Sequence, residues 1–599
     1  MEQAALLSIV VIIVLGIFSQ WLAWRVQWPS IVIMSVAGLL IGPIIGLINP
    51  EEALGELYSP LISLAVAIIL FESSSGLDFR ELKGLSKSVF RVAAAGAFLA
   101  WIGGSLAAHY IAGLNFAISF IIGGLFIVTG PTVIIPLLRQ AKLKPRVATV
   151  LKWEGIIIDP AGPLLALFAY QIIKVINGDV QGHYIINFFL GALLAVIIGL
   201  VAGLTVSRMV KKGLFPEFLK SPIVLSFVLL CFTVSEVIMH ETGMLAVTVM
   251  GLTMARTKNY ISAIGNVSHF VENISVMLTS TVFVLLTASL TRETIMEIFT
   301  LPILGYVLIM LFLIRPLSIW ISTIGTELKP AEKTLISWIA PRGIVALTVS
   351  GYFAGILTED GYADAAILMT LTFALVFITV CAHGFTLEPF AKKLGLANTG
   401  QEGILIVGAN PFSIAFAEFC KTQEIPILII DDSYDRLIPA QNNKGIKTYY
   451  GQILSEHTQF EVDLTPYKYI LAMTDEPAYN GLICQSYAPE FGYNNTFALS
   501  VSKRRSSSNE EISPAVKGHI LFDEDAVLPE LNQKINEGYT FDMMEISNKE
   551  MIKKDEFTAN NELLFIWKEN DDIVFVTHQK ELDPEKDDKA VVLRKPEKK

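Results

Sequence analysis

The chain has 599 residues, 53% of them hydrophobic and only 17% charged, where ordinary soluble domains carry about 25% charged residues. The net charge of −11 argues against nucleic acid as a partner. The four cysteines, Cys231, Cys381, Cys420 and Cys484, lack CxxC or CxxH spacing, which argues against a disulfide scaffold or a structural zinc site. The average hides a split: residues 1–387 are a succession of long apolar runs, and 401–599 have ordinary water-soluble composition.

The first apolar run, about 5–24, follows an N-terminus without a basic region and is expected to stay as a membrane span rather than be cleaved. Further spans are expected near 29–49, 58–77, 88–110, 114–136, 147–174, 186–208, 221–239, 242–255, 269–290, 298–323, 333–353 and 362–387, thirteen in all. Basic residues collect after the odd-numbered spans: Arg80, Lys83, Lys87 and Arg91; Arg139, Lys142, Lys144 and Arg146; Arg208, Lys211 and Lys212; Arg256 and Lys258; Lys329 and Lys333; Lys392 and Lys393. Glu51, Glu52, Glu241, Glu359, Asp360 and Asp364 lie on the opposite side. This asymmetry predicts an inner (plasma) membrane protein with its N-terminus outside and its soluble part in the cytoplasm.

Two acids stand inside the sixth span, in LKWEGIIIDP, residues 151–160. An acid at mid-bilayer depth costs about 2.5–3.5 kcal/mol, so each calls for a reason. Five helical positions turn the chain through about 500°, leaving Glu154 and Asp159 roughly 140° apart and suited to different tasks. Pro160 and Gly162-Pro163 should disturb the helix beside Asp159 and free carbonyls there, which together with the carboxylate suit a hard monovalent cation such as Na+ or K+. Glu154 fits a structural ion pair with a deep arginine; Arg315 and Arg342 are the candidates, and Arg342, in WIAPRGIVAL, is preferred. In FIVTGPTVIIP, residues 126–136, Gly130-Pro131 predicts a broken helix, with Thr129 and Thr132 as oxygen donors, although a simple proline kink has the same signature. Glu72, in LFESSSGLDF, either lines a cytoplasmic route to the site or reaches out to the interface.

The soluble half opens with GILIVGANPFSIAFAEFC, residues 403–420, a strand, a glycine turn and a helical pattern; a second strand, IPILIID, ends at Asp431. Further strands are expected at 469–473, 497–501 and 519–522, and the order predicts a Rossmann plan. The glycine fingerprint is incomplete, with Gly408 kept, Asn410 in the second place and Ser413 in the third, where its hydroxyl could meet a phosphate at the helix N-terminus. Asp431, placed for ribose hydroxyls, Gly451, Thr474 and Asp475 complete the candidate nucleotide set. The polar stretch 503–515 reads as a loop, and from about 540 short strands and a charged tail suggest a small α+β lobe.

Residues 1–390 resemble the NhaP-type branch of the monovalent cation/proton antiporters, through LFESSSGLDF, TGPTVI, EGIIIDP and Pro341-Arg342-Gly343 on successive spans. The resemblance implies a thirteen-helix inverted-repeat transporter that works as a homodimer, with Asp159 as ion ligand, Thr129 as unwound-helix ligand, Glu154 with Arg342 as core pair and Glu72 at the cytoplasmic funnel. Na+, K+ or Li+ and protons would be its substrates, and no cofactor is implied for transport. Two positions depart from the family pattern: Ile158 stands where the family usually has Asn, and Gly130 where it usually has an acid. Desolvation favours the neutral form of Asp159 and a bound cation its charged form, so proton and cation should compete for one carboxylate.

Residues 403–525 resemble TrkA-N or RCK-type regulatory domains, implying regulation by an adenine nucleotide, NAD(H), AMP or ATP. The expected organisation is therefore a transporter domain (1–390), a linker (391–402), the Rossmann domain and a C-terminal lobe (526–599). Alternatives are a Kef-like potassium efflux system, which usually carries paired acids where this chain has Ile158-Asp159; an RCK-gated channel, against which stands the lack of a TVGYG-like filter; and a transport-inactive membrane sensor. An enzyme is not expected, since no catalytic acid–base pair or substrate domain accompanies the Rossmann pattern.

Overall fold

The structure is a computed structural model. It describes residues 2–397 apart from 27, 78, 83, 142, 178–182 and 259–264, and residues 403–596 apart from 456–457, 459–461, 463, 465, 502–518, 523–525, 547–560, 569–571, 578–584 and 586–587. Lys83, Lys142 and the stretch 503–515 thus lie outside the described residues, as do the side chains of Thr132, Arg139 and Lys258. The chain forms two compact units, Met1–Ala397 and Asn398–Lys599.

The first unit is helical, as long apolar runs in a bilayer must be, because a helix satisfies its own backbone where no water can. Nine helices among the described residues are long and apolar enough to cross a membrane, and three shorter apolar helices accompany them. Two of the expected spans are interrupted. The first comprises α1 (Phe116–Leu125) and α2 (Pro131–Ala141), separated by residues 126–130. Pro131 opens α2, and a residue ahead of proline is pushed away from helical geometry, which ends the helical run before Gly130. Between them and the second interruption runs α3 (Pro145–Ile176), an unbroken helix of 32 residues. The second interruption separates α5 (Pro330–Trp338) from α6 (Ile344–Glu359), with α4 (Arg315–Ser322) just upstream and α7 (Ile367–Lys393) downstream. Here Pro341 and an extended Gly343 (φ −107°, ψ −175°) keep residues 339–343 out of helix.

The expectation of a disturbed helix at Pro160 and Pro163 is corrected: α3 runs through both. What the prolines remove is hydrogen bonds. Neither has an N–H to give the residue four positions back, so the carbonyls of Ile156 and Asp159 lose their helical donors without a break in the axis.

The second unit carries a six-stranded parallel sheet in the order β3-β2-β1-β4-β5-β6, the order of a doubly wound Rossmann sheet. Its strands are β1 (Gly403–Val407), β2 (Ile427–Asp431), β3 (Thr448–Tyr450), β4 (Tyr467–Ala472), β5 (Thr496–Ala498) and β6 (His519–Ile520). Every residue of β1 and β2 is buried, as in a parallel sheet covered on both faces. Helices α8 (Pro411–Thr422) and α9 (Leu528–Asn536) pack against each other beside it. A second, antiparallel sheet runs β7-β10-β8-β9, formed by Thr540–Glu545, Lys589–Arg594, Asn561–Trp567 and Ile573–Phe575 in that spatial order. Its Phe565 and Phe575 share one apolar core with Phe412 and Phe416 of α8.

Candidate functional site

The site forms where α3 meets the first break. Positions 155, 159 and 162 fall on one face of α3, at helical spacings of four and three. Gly155 and Gly162 on that face are pressed against the interrupted segment. A Cβ at 155 would lie 3.0 Å from the Thr129 carbonyl oxygen, and one at 162 would lie 2.0 Å from Val128 Cγ2 and 3.3 Å from the Leu125 carbonyl. One helical turn further, Gly124 of α1 lies against the backbone of Leu165 and Ala166. The glycines bring α3 close to the break, and Asp159 stands between them.

Asp159 is fully buried, and neither carboxylate oxygen has a hydrogen-bond partner. The Thr129 hydroxyl is likewise fully buried and unpartnered. Native structures pair nearly all such groups, so three orphaned oxygens, on α3 and on the interrupted segment packed against it, are chemistry waiting for a proton or a small cation. Thr132 lies in the first turn of α2, its side chain outside the described ones. Glu72 lies in the last turn of the helix Tyr58–Ser75, half-buried, with Oε2 accepting from the Ser73 hydroxyl at 3.4 Å.

The ion pair differs from expectation. Glu154 is fully buried, and its bidentate partner is Arg315 rather than Arg342. Arg315 Nη1 donates to Oε1 and Nη2 to Oε2 at 2.9 Å; Nη2 also reaches the Ile336 and Ile339 carbonyls at 3.2 and 3.0 Å. Arg342 is committed elsewhere, with Nη1 donating to the Ile127 and Val128 carbonyls at 2.8 and 2.6 Å and its backbone N–H to Thr379 Oγ1 at 3.2 Å. The two arginines therefore serve different breaks. Arg315 collects carbonyls where α5 ends, and Arg342, lying in the second break, caps those where α1 ends, setting the two breaks side by side. A guanidinium at the carbonyl end of a half-helix is electrostatically favourable.

Ile158, four positions from Glu154 on the same face, lines a cavity of about 10 Å³ together with Glu154, Arg315, Arg342 and Ile127. An apolar side chain thus borders the Glu154–Arg315 pair.

In the second unit Gly408 has φ +110°, and a Cβ there would meet the Met473 carbonyl oxygen at 2.6 Å, so only glycine fits the turn. A cleft of about 820 Å³ opens beside this turn, bordered by Arg436, Asp475 and Asn532. The amides that would cradle a pyrophosphate are already engaged. Ala409 N–H donates to Asp431 Oδ2 at 2.7 Å, Asn410 N–H to Ser413 Oγ at 2.9 Å, Phe412 N–H to Asn532 Oδ1 at 2.9 Å and Ser413 N–H to Asn410 Oδ1 at 3.0 Å; Pro411 has none. Ser413 is fully buried and its hydroxyl turns back to the Gly408 carbonyl, which corrects its expected role toward phosphate. Asp431, 5% exposed, accepts from Ala409 and Ser433 and is not turned out toward a ribose. Gly451 donates to the Asp431 carbonyl, Thr474 binds Asn480 through both its N–H and its hydroxyl, and Asp475 lies exposed with Arg436 Nη1 at 3.8 Å. In this conformation the residues do not fit a dinucleotide.

Interrupted helices meeting at a buried, unpaired carboxylate in one unit, and a parallel sheet in the other, define a multi-span membrane transporter fold with an appended Rossmann-type module. The chain belongs to the family described as sodium/hydrogen exchanger, transmembrane, whose profile matches residues 8–393; the TrkA-N domain profile matches residues 404–511. The chain is 22% identical over 399 residues to "Probable Na(+)/H(+) antiporter 2" of Methanocaldococcus jannaschii, covering 62% of this chain and 93% of that protein. It is 25% identical to "Na(+)/H(+) antiporter NhaH" of Halobacillus dabanensis, covering 61% and 92%, and 24% identical to "K(+)/H(+) antiporter NhaP2" of Shewanella sp. (strain MR-4), covering 63% and 66%. The solved structure of the sodium proton antiporter MjNhaP1 from Methanocaldococcus jannaschii superposes with a TM-score of 0.59 at 21% identity, covering 66% of this chain and 99% of that one. That likeness establishes the fold.

Proposed function

We propose that the first unit is a secondary-active antiporter that exchanges a monovalent cation, Na+ or K+, for protons by alternating access, with Asp159 as the shared site. The observation that carries this reading is the burial of Asp159 with both oxygens unpartnered, on the face of α3 that packs against the interrupted segment holding the unpartnered Thr129 hydroxyl. An isolated ionised carboxylate in a dry interior costs several kcal/mol. The group therefore avoids the bare, charged state and is either protonated or paired with a cation. If only those two loaded forms cross, exchange is obligatory. With Asp159 as the single titrating ligand, one cation moves per proton and no net charge crosses.

Glu154 and Arg315 act in support, holding α3 to α4 and to the second break, while Arg342 fixes the carbonyl end of α1. Glu72 lines the cytoplasmic approach. The protein spans the inner membrane thirteen times as a homodimer, its N-terminus outside and its second unit cytoplasmic and regulatory. The relatives' names include both sodium and potassium antiporters, which supports the substrate class without choosing between the two ions.

Purified protein in vesicles containing a pH-sensitive dye tests the proposal. Adding Na+, K+ or Li+ should release protons for at least one of the three, and the rate should be insensitive to an imposed voltage. Silence with all three ions would refute antiport; strong voltage dependence would refute one-for-one exchange.

A further inference from the structure

The cleft of the second unit is roomy enough for a small molecule, since ligand sites commonly run to about 300–1,000 Å³. Dinucleotide-binding turns work by leaving amides at a helix N-terminus free to meet phosphate. Here the protein has spent them. Asn410 opens α8 and forms a reciprocal cap with Ser413: its Oδ1 takes the Ser413 N–H while Ser413 Oγ takes the Asn410 N–H. Asn410 Nδ2 is tied to the Met473 carbonyl at 2.9 Å, so the side chain in place of the second glycine is fixed across the turn. Asp431 holds Ala409, and Ile414 N–H enters the helix by donating to the Asn410 carbonyl.

The remaining donor, Phe412 N–H, is taken by Asn532, 120 residues further along the chain. Asn532 lies on α9, and this helix is not a loose cover. Leu528 and Leu531 are 4% and 1% exposed and belong to the core that contains Phe412 and Phe416. The Leu528 N–H donates to the Ser500 carbonyl at 2.8 Å, just past the C-terminal end of β5. An amide oxygen fixed by a packed helix thus stands where an anionic oxygen would otherwise sit.

We propose that the glycine turn of the second unit is closed by the protein's own side chains, with Asn532 as the built-in surrogate for a ligand phosphate, so that the unit takes no dinucleotide. Nucleotide pyrophosphate is then not the signal of this module. The inference concerns the second unit alone and stands whether or not the first unit exchanges cations.

The full-length protein in detergent supplies the test, with NADH, ATP and AMP each titrated calorimetrically and amide hydrogen exchange followed by mass spectrometry over residues 408–414. The wild type should give no saturable binding, corresponding to a Kd above about 1 mM for each nucleotide. Asn532→Ala should speed exchange at the Phe412 amide about tenfold, the loss of one well-placed hydrogen bond. Asn532→Asp keeps an acceptor oxygen at the helix N-terminus and should restore slow exchange. Saturable NADH or ATP binding by the wild type would overturn the proposal. So would a Phe412 amide that exchanges as fast in the wild type and the Asp variant as in the Ala variant.

Discussion

Arg315→Met is the perturbation from which the geometry predicts the largest loss of stability. It leaves the fully buried Glu154 carboxylate without its bidentate partner and strips the Ile336 and Ile339 carbonyls of a shared donor. Breaking a buried pair from one side costs about 3–5 kcal/mol, since the remaining charge is uncompensated. At about 2.1 cal/mol/K of unfolding entropy per residue, that loss over the 8–393 region corresponds to a fall of about 4–6 °C in unfolding temperature. The double variant Glu154→Gln, Arg315→Met removes both charges and should recover a coupling energy of about 1–3 kcal/mol, or about 1–4 °C. Thermal unfolding of the four members of this cycle, in one detergent at one pH, measures the coupling. The companion cycle of Glu154 with Arg342 should show weaker coupling, because Arg342 donates to Ile127 and Val128 instead. Strong coupling to Arg342 with none to Arg315 would refute the pairing.

Other expectations follow from the same contacts. Gly162→Val places its branch atoms into Val128, whose Cγ2 is already 2.0 Å from where a Cβ would lie; overpacking of this kind costs about 1–3 kcal/mol, and unfolding temperature and transport should both fall, with Val128→Ala giving partial recovery. Thr129→Val removes the unpartnered hydroxyl at constant shape and should raise the cation concentration for half-maximal transport about tenfold, whereas Thr129→Ser should stay near wild type; equal values for both would remove Thr129 from the site. In the second unit, burial alone would raise the Asp572 carboxyl, but hydrogen bonds from Lys468 and Tyr469 hold it below its ordinary value of 3.8. A depressed folded-state value stabilises the unit above the unfolded value, and the contribution disappears as pH falls through the folded one. Asp572→Asn should therefore lower stability at neutral pH and matter progressively less as pH falls below 3.8 and through the folded-state value, as denaturant unfolding across that range would reveal.

Much of this site was legible in the sequence because intramembrane acids and prolines are costly and few. Glu154, Asp159 and the Gly130-Pro131 break stood out on those grounds. The choice between Arg315 and Arg342 did not, since each lies deep and spacing along the chain does not say which carbonyls or carboxylate a long side chain will reach. The second break was present in Pro341-Arg342-Gly343 but was absorbed into a continuous apolar run. Gly155 and Gly162 became informative only with their neighbours in view, because a small residue on a helix face carries no label for what approaches it. In the second unit Asn410, Pro411 and Ser413 have the spacing of a helix cap, and the same letters also suit a degraded phosphate turn. Asn532 decided between them from 120 residues away, and nothing in local sequence could anticipate that contact.

The central claim is that Asp159 carries the proton and the cation in turn. Its most direct test is tracer exchange in proteoliposomes, comparing wild type with Asp159→Asn for cation uptake driven by an outward proton gradient and for cation-for-cation exchange at constant pH. Loss of both activities in a variant that retains the wild-type unfolding temperature is the predicted result. Unchanged rates in the variant would contradict the account.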